Sequence, residues 1–127
     1  MSLTREQILA ADDRPKKAVA VAEWGGEVWV KTLSAAQREE WEASISDANG
    51  AMTKRQIRAG LVAASACDEN GVAIFTKDDV AALADKAASI IMRIYDAAVS
   101  LNEITKEDID AAEKNSDPSP SDSSASA

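Results

Sequence analysis

Between Lys17 and Leu33 the apolar residues recur at every second position. Val19 and Val21 alternate with Ala18, Ala20 and Ala22, and Val28 and Val30 flank Trp29. Alternation with period two predicts a pair of β-strands, and the intervening WGGE offers two glycines able to take the positive φ angles of a hairpin turn. With Gly25–Gly26 as the turn, Val21 faces Val30 and Glu23 faces Val28 on one side. Ala22 then faces Trp29, and Trp24 faces Glu27, on the other. Such a ribbon is apolar on both sides. Either other parts of the fold cover both, or one side docks on a partner.

Elsewhere the apolar spacing changes to three and four, the helical period. Five pairs mark helix starts: Thr4 with Gln7, Ser34 with Gln37, Thr53 with Gln56, Thr76 with Asp79 and Thr105 with Asp108. In each, a hydroxyl can accept from the backbone N–H three residues on, while the later side chain reaches back. Asp is the weaker partner, so the last two are expected to act as simple N-caps with an acid in the first turn. The first helix covers about Arg5 to Ala11 and is short enough to need packing. Pro15 then turns the chain outward. A second helix runs from about Ala35 to Ala48, with Trp41, Ile45 and Ala48 as its buried stripe and Asn49–Gly50 as its stop. A third spans about Lys54 to Cys67, with Ile57, Gly60, Leu61 and Ala64 on one face.

DENG then predicts a tight turn into VAIF, which is either a short strand or an apolar anchor. After Thr76, Val80, Leu83, Ala84 and Ala87 carry a helix that either continues through Lys86–Ser89 or bends there. Ile90, Ile91, Ile94, Tyr95, Ala98 and Leu101 form the most apolar stretch of the chain, the expected centre of the core. A last acidic helix follows from about Lys106 to Lys114. The Ser-, Pro- and Asp-rich residues 115–127 bury too little to offset the entropy of ordering and are expected to be disordered. The fold class is therefore mainly α (α+β): five to six short helices with one N-terminal β-hairpin at about 17–33, in a single domain over 1–114.

Composition sharpens this picture. Hydrophobic residues make up 46% of the 127, but aromatics only 4% and alanine dominates, so helices should approach closely around a thin core. Net charge is −8, and of 22 acidic residues eight lie beyond Tyr95, against only Lys106 and Lys114. That acidic end repels nucleic acid and anionic lipid; it suits either solubility alone or a basic protein partner. One cysteine excludes an intrachain disulfide, no apolar run is long enough for a signal peptide or a membrane span, and a cytosolic protein is expected. The absence of histidine removes the usual general base, and with one cysteine no structural zinc site can form. No glycine-rich phosphate loop is present, and DENG lacks the acids of a calcium loop. The expectation is no catalysis, no cofactor and no metal.

Two clusters remain as candidate partner or self-association surfaces. Trp24, Trp29 and Trp41 all fall within a short segment, and aromatic anchors are typical of binding hot spots. Lys54, Arg55 and Arg58 crowd the first turn of the third helix, where cations oppose the helix dipole. They form either a solvated surface or one that meets an acidic face of another copy.

The ordered series LTREQILAADD, EWGGEVWVKTLSAAQRE, CDENGVAIFT with an acidic helix start, and LNEIT after the apolar helix resembles the tail assembly chaperones of long-tailed bacteriophages and prophages. The resemblance runs from about Leu3 to Glu113. It implies a non-enzymatic assembly factor of the host bacterial cytoplasm, absent from the mature virion. Such a factor binds the long, aggregation-prone tape measure protein before tail tube subunits polymerise around it. Many such genes also make a longer form by a backward ribosomal frameshift, whose extension recruits tube protein. Glu113-Lys114-Asn115 can be encoded by a slippery run of adenines, which marks the tail as the expected end of the shorter product. The resemblance transfers no catalytic residues. The alternative class is a small acidic phage-encoded inhibitor that mimics nucleic acid, which requires its acids in a phosphate-like array.

Overall fold

The computed structural model describes residues 1–46 and 53–114. The expected end of the second helix at Ala48, its Asn49–Gly50 stop and the tail 115–127 lie outside the described residues. Helix α1 spans Arg5–Ala10, strand β1 Lys16–Val21, strand β2 Gly26–Lys31 and helix α2 Ala35–Ser46. Helix α3 (Thr53–Ser65), strand β3 (Ala66–Cys67), α4 (Val80–Ala84), α5 (Ala88–Asn102) and α6 (Lys106–Lys114) follow. The mainly α fold with an N-terminal hairpin is as expected, with one strand more.

The extra strand comes from the end of α3. The expected helix ran to Cys67, but it stops at Ser65, whose hydroxyl donates to the Leu61 carbonyl (2.7 Å). Ala66 and Cys67 then pair antiparallel with Val30 and Trp29, giving a sheet ordered β1-β2-β3. DENG forms the anticipated turn. Asp68 Oδ1 accepts from the backbone N–H groups of Asn70 and Val72, and Gly71 takes φ +84°. The following VAIF serves mainly as an anchor: Ala73 makes one bridge to Cys67 and Phe75 packs on the core, while Val72 and Ile74 remain exposed.

The hairpin register departs from the expected pairing. Val19 faces Val28, Ala18 faces Trp29 and Val21 faces Gly26. The turn is a 3-10 segment, Ala22–Trp24, closed by Gly25 in the left-handed region at φ +82°. Three residues assigned to the first strand thus belong to the turn. The partners slide by four positions, and because four is even, every side chain keeps its face. Of the two faces left open by the sequence, the one carrying Val19, Val21 and Val30 points to the core and is buried, and Trp29 points away from it.

Helix α5 is the centre of the core. Ile90, Ile91, Ile94, Tyr95 and Ala98 are buried on it, and it packs against β1, β2, α3 and α4. The chain does break before it: α4 ends at Ala84, and Ala87 is extended (φ −54°, ψ 129°). At its other end Glu103 takes a left-handed conformation, and the N–H of Ile104 donates to the Val99 carbonyl (3.0 Å). Trp41 on α2 inserts between α2 and α3, its indole N–H donating to the Ile57 carbonyl (3.1 Å). Helix α6 lies along α2, with Ala112 buried and Arg38 paired to Asp108 (3.4 Å).

The helix-start pairs form as reciprocal bonds where they are described. Thr4 with Gln7, and Ser34 with Gln37, each exchange two hydrogen bonds. The aspartates do more than expected. Asp79 reaches back to the Thr76 N–H and Asp108 to the Thr105 N–H, both at 2.9 Å. Bonds to the backbone and hydroxyl of Thr105 hold the Asp108 carboxyl below its ordinary value. The Thr53 side chain lies outside the described residues.

Three long-range polar ties fix the hairpin on the helices. At the open end, the Arg14 guanidinium donates to the Thr32 carbonyl (2.9 Å) and to Gln37 Oε1 (2.8 Å). Asn102 at the end of α5 accepts from the Leu33 N–H (2.7 Å) and donates to the Ala98 carbonyl (2.9 Å). At the turn, Arg93 grips both carboxylate oxygens of Glu23 (2.9 and 2.8 Å) and donates to the Ala20 carbonyl (3.2 Å).

Two outcomes follow. The Trp41 ring lies over Gly60, yet a Cβ there would sit 3.6 Å from Trp41 Cδ1, an ordinary contact. Gly60→Ala is expected to stabilise the protein by about 0.5–1 kcal/mol through helix propensity, read as a higher midpoint in urea unfolding. The Arg93 hydrogen bonds, with a backbone bond of Glu23 itself, hold the Glu23 carboxyl at about 2, down from 4.5. Its contribution is therefore present above pH 4.5 and lost as pH falls towards 2. Glu23→Gln should melt below the wild type by a constant margin near neutral pH, and that margin should vanish across the same acid window.

Candidate functional site

The outer face of the sheet carries one row of four side chains: Ala18, Trp29, Cys67 and Ala73, held in register across the strands. Trp29 is half-buried at its centre, and the Lys16 ammonium sits 5.3 Å from its ring centroid, within cation–π range. Lys31 lies opposite Lys16 across the strands. Like charges directly opposed repel, so this end of the face favours an incoming acidic group. The face therefore offers an aromatic platform with small residues beside it and cations at one end.

Trp24 is elsewhere. The pairing that placed it beside Trp29 is replaced by the 3-10 turn, and its ring, 41% exposed, lines a separate open cleft. Phe75, Ala82 and Leu83 complete the apolar lining, with Asp79 and Lys86 at the rim; the cleft volume is about 250 Å³. Trp41 is 5% exposed and packs in the core, so in this fold it is unavailable to a partner. Its large side chain fills the space left between α2 and the alanine- and glycine-bearing face of α3.

The basic cluster is only partly described. Arg58 is exposed on α3, close enough to Tyr95 for its charge to oppose the burial that pushes the Tyr95 hydroxyl above its ordinary value. The side chains of Lys54 and Arg55 lie outside the described residues. Within that outward row Cys67 itself is covered by its neighbours and buried, and burial pushes its thiol up against the opposing pull of Lys31. A thiol so held is a packing residue rather than a nucleophile. Among the described residues no group of three or more Cys, Asp or Glu is placed to hold a metal ion. No helix among them is long and apolar enough to cross a membrane.

Two features escaped sequence reasoning. One is the apolar surface of α1, where Leu3, Ile8 and Leu9 are 69%, 55% and 68% exposed. Leu3 precedes the Thr4 cap and Ile8 lies four residues after it, the spacing of a hydrophobic staple, so the signal was present. The other is the cleft, whose lining comes from a turn, a loop and a short helix far apart in sequence.

Comparison with known proteins places these surfaces in context. The sequence profile of a family described as phage tail assembly chaperone matches residues 4–116. No curated protein sequence matches the chain. The solved structure of the bacteriophage HK97 tail assembly chaperone superposes with a TM-score of 0.58 at 20% sequence identity, covering 76% of this chain and 94% of that one. At that identity the superposition bears on the fold alone. With the profile spanning nearly the whole chain, this protein belongs to the phage tail assembly chaperone family.

Proposed function

We propose that the protein binds the tape measure protein through the outer face of its sheet, with Trp29 as the central anchor. It thereby keeps that client from aggregating until tail tube subunits polymerise around it. Family membership supports the general role, and the aromatic platform at Trp29 is the observation that carries this particular reading. A long, helical, amphipathic client exposes an apolar stripe flanked by charges. An aromatic surface with small neighbours accepts such a stripe, and Lys16 and Lys31 match acidic residues along its edge. The chain's charge of −8 keeps a carrier of apolar surface in solution.

On this reading the protein acts in the host bacterial cytoplasm, performs no catalysis, is left out of the mature virion, and self-associates around its client. A longer form made by frameshifting over Glu113–Asn115 recruits tail tube protein. The nucleic-acid-mimic alternative is disfavoured because several acids are committed to local structure. Asp79 and Asp108 cap helices, and Glu23 and Glu42 pair with Arg93 and Arg38.

Trp29→Ala is expected to weaken capture of the tape measure protein at least tenfold in a co-purification or titration assay, about 1.4 kcal/mol or more of a hot-spot contribution. Circular dichroism should confirm that the variant stays folded. Undiminished capture by a folded variant would refute this face as the client site.

A further inference from the structure

The residues after the DENG turn lay one more backbone alongside the sheet. Ala73 bridges Cys67 antiparallel. The Asp68 N–H donates to the Val72 carbonyl (2.9 Å) on one side of the bridge, and the Ile74 N–H to the Ala66 carbonyl (3.4 Å) on the other. In this pattern the Val72 carbonyl and the Ile74 N–H turn towards β3, and both backbone groups of Ala73 turn away from it. Neither Ala73 group has a hydrogen-bond partner among the described residues, and Val72, Ala73 and Ile74 are all exposed. A backbone donor and acceptor side by side on a free edge are a template for one more strand.

The sequence treats the two edges of this sheet differently. Strand β1 begins after Pro15 with Lys16 and Lys17, and Arg93 occupies the Ala20 carbonyl on its free side (3.2 Å). Proline, lysine and a covering side chain all keep an edge from pairing. The Val72–Ile74 edge has none of them. Its two branched apolar side chains, 60% and 49% exposed, flank an alanine too small to obstruct an approaching backbone.

Ala73 sets the register of an added antiparallel strand. One partner residue exchanges both bonds with Ala73, and its side chain continues the outward row of Ala18, Trp29, Cys67 and Ala73. The residues on either side of it lie opposite Val72 and Ile74 and cover them. Those two positions therefore call for apolar residues, best of all β-branched ones. Beyond the residue facing Val72, the partner runs past the DENG turn. Asp68 and Glu69 stand there against the single charge of Lys31, whose ammonium lies over Gly71. Neither acid forms an ion pair among the described residues. Charge complementarity places a lysine or arginine at that end of the partner, which in an antiparallel strand is its C-terminal end.

We propose that the Val72–Ile74 edge binds an extended segment of another protein by strand addition. In that segment two apolar residues flank the one paired with Ala73, and a basic residue follows them. Main-chain bonds and the covered apolar pair supply the affinity, and the basic residue sets the direction. This contact is distinct from the helical client proposed for the outer face. A helix would lie across Trp29, whereas the edge takes a strand in the plane of the sheet. The inference rests neither on the Trp29 reading nor on self-association.

The probe is a short synthetic peptide with a valine–threonine–valine centre followed by lysines, titrated into the isotope-labelled full-length chain. The amide resonances of Val72, Ala73 and Ile74 are expected to move together, and exchange of the Ala73 N–H to slow roughly tenfold or more at saturation. Ala73→Pro removes the outward N–H, and Ile74→Lys gives this edge the charge that guards β1. Each should weaken binding roughly tenfold or more, with an unchanged circular dichroism spectrum. Methylating the threonine nitrogen of the peptide should abolish binding, because that N–H donates to the Ala73 carbonyl. Glutamates in place of its lysines should weaken binding severalfold. An Ala73 amide that stays unmoved up to the solubility limit of the peptide would overturn the proposal. So would a methylated peptide that binds like its parent, or shifts centred on Trp29 and Lys16, which would assign the peptide to the outer face. Protection of the Ala73 N–H that grows with protein concentration alone would also overturn it, by giving the edge to a second copy.

Discussion

The packing of α5 against the sheet on one side and α3 on the other is the contact on which everything else hangs. Ile94 is fully buried there, as are Val21 and Val30 on the sheet and Leu61 and Val62 on α3. In a chain so rich in alanine, few side chains are large enough to fill an interior. Burial of a handful of branched residues, each worth about 1.5–3 kcal/mol, must offset most of the ordering entropy. Helix α5 concentrates them. Without it the sheet would have only its outer face, and α3 would have nothing to cover.

A thin core leaves orientation poorly determined, and polar ties supply what packing does not. Arg14, Asn102 and Arg93 each bond to backbone carbonyl or N–H groups far away in sequence, and together they pin both ends of the hairpin. The consequence for function is rigidity at two separate places. The open end carries α1 and the cations near Trp29; the closed end carries Trp24 and its cleft. Each surface is therefore presented from a fixed base, which reduces the entropy lost when a partner binds.

Most helices were legible because their signals are local. The reciprocal bonds of Thr4–Gln7 and Ser34–Gln37, and the apolar run from Ile90 to Leu101, act within a few residues of themselves. Long-range placement was not legible. Trp41 belongs to the core because α3 presents Gly60 and the Ile57 carbonyl to it, a fact of assembly rather than of spacing. The cleft likewise unites Trp24, Phe75 and Leu83 only after the loop following β3 folds back. Arg93 was visible as a cation in the most apolar helix, but its partner Glu23 lies in a turn whose shape the alternation could not define. The short β3 strand was missed because Ala66 and Cys67 continue the helical pattern of α3 and diverge only through pairing with β2.

The parity of the hairpin pairing has a meaning for how this architecture can drift over evolution. Strand faces are defined by parity alone, so the turn after Val21 can lengthen or shorten the pairing in steps of two without exchanging inside and outside. A single-step change would put Val19 and Val21 on the same face as Trp29, so that either the valines leave the core or Trp29 enters it. The tip could thus change length by even steps while the outward row keeps its face. The pressure on this hairpin acts on evenness rather than on length.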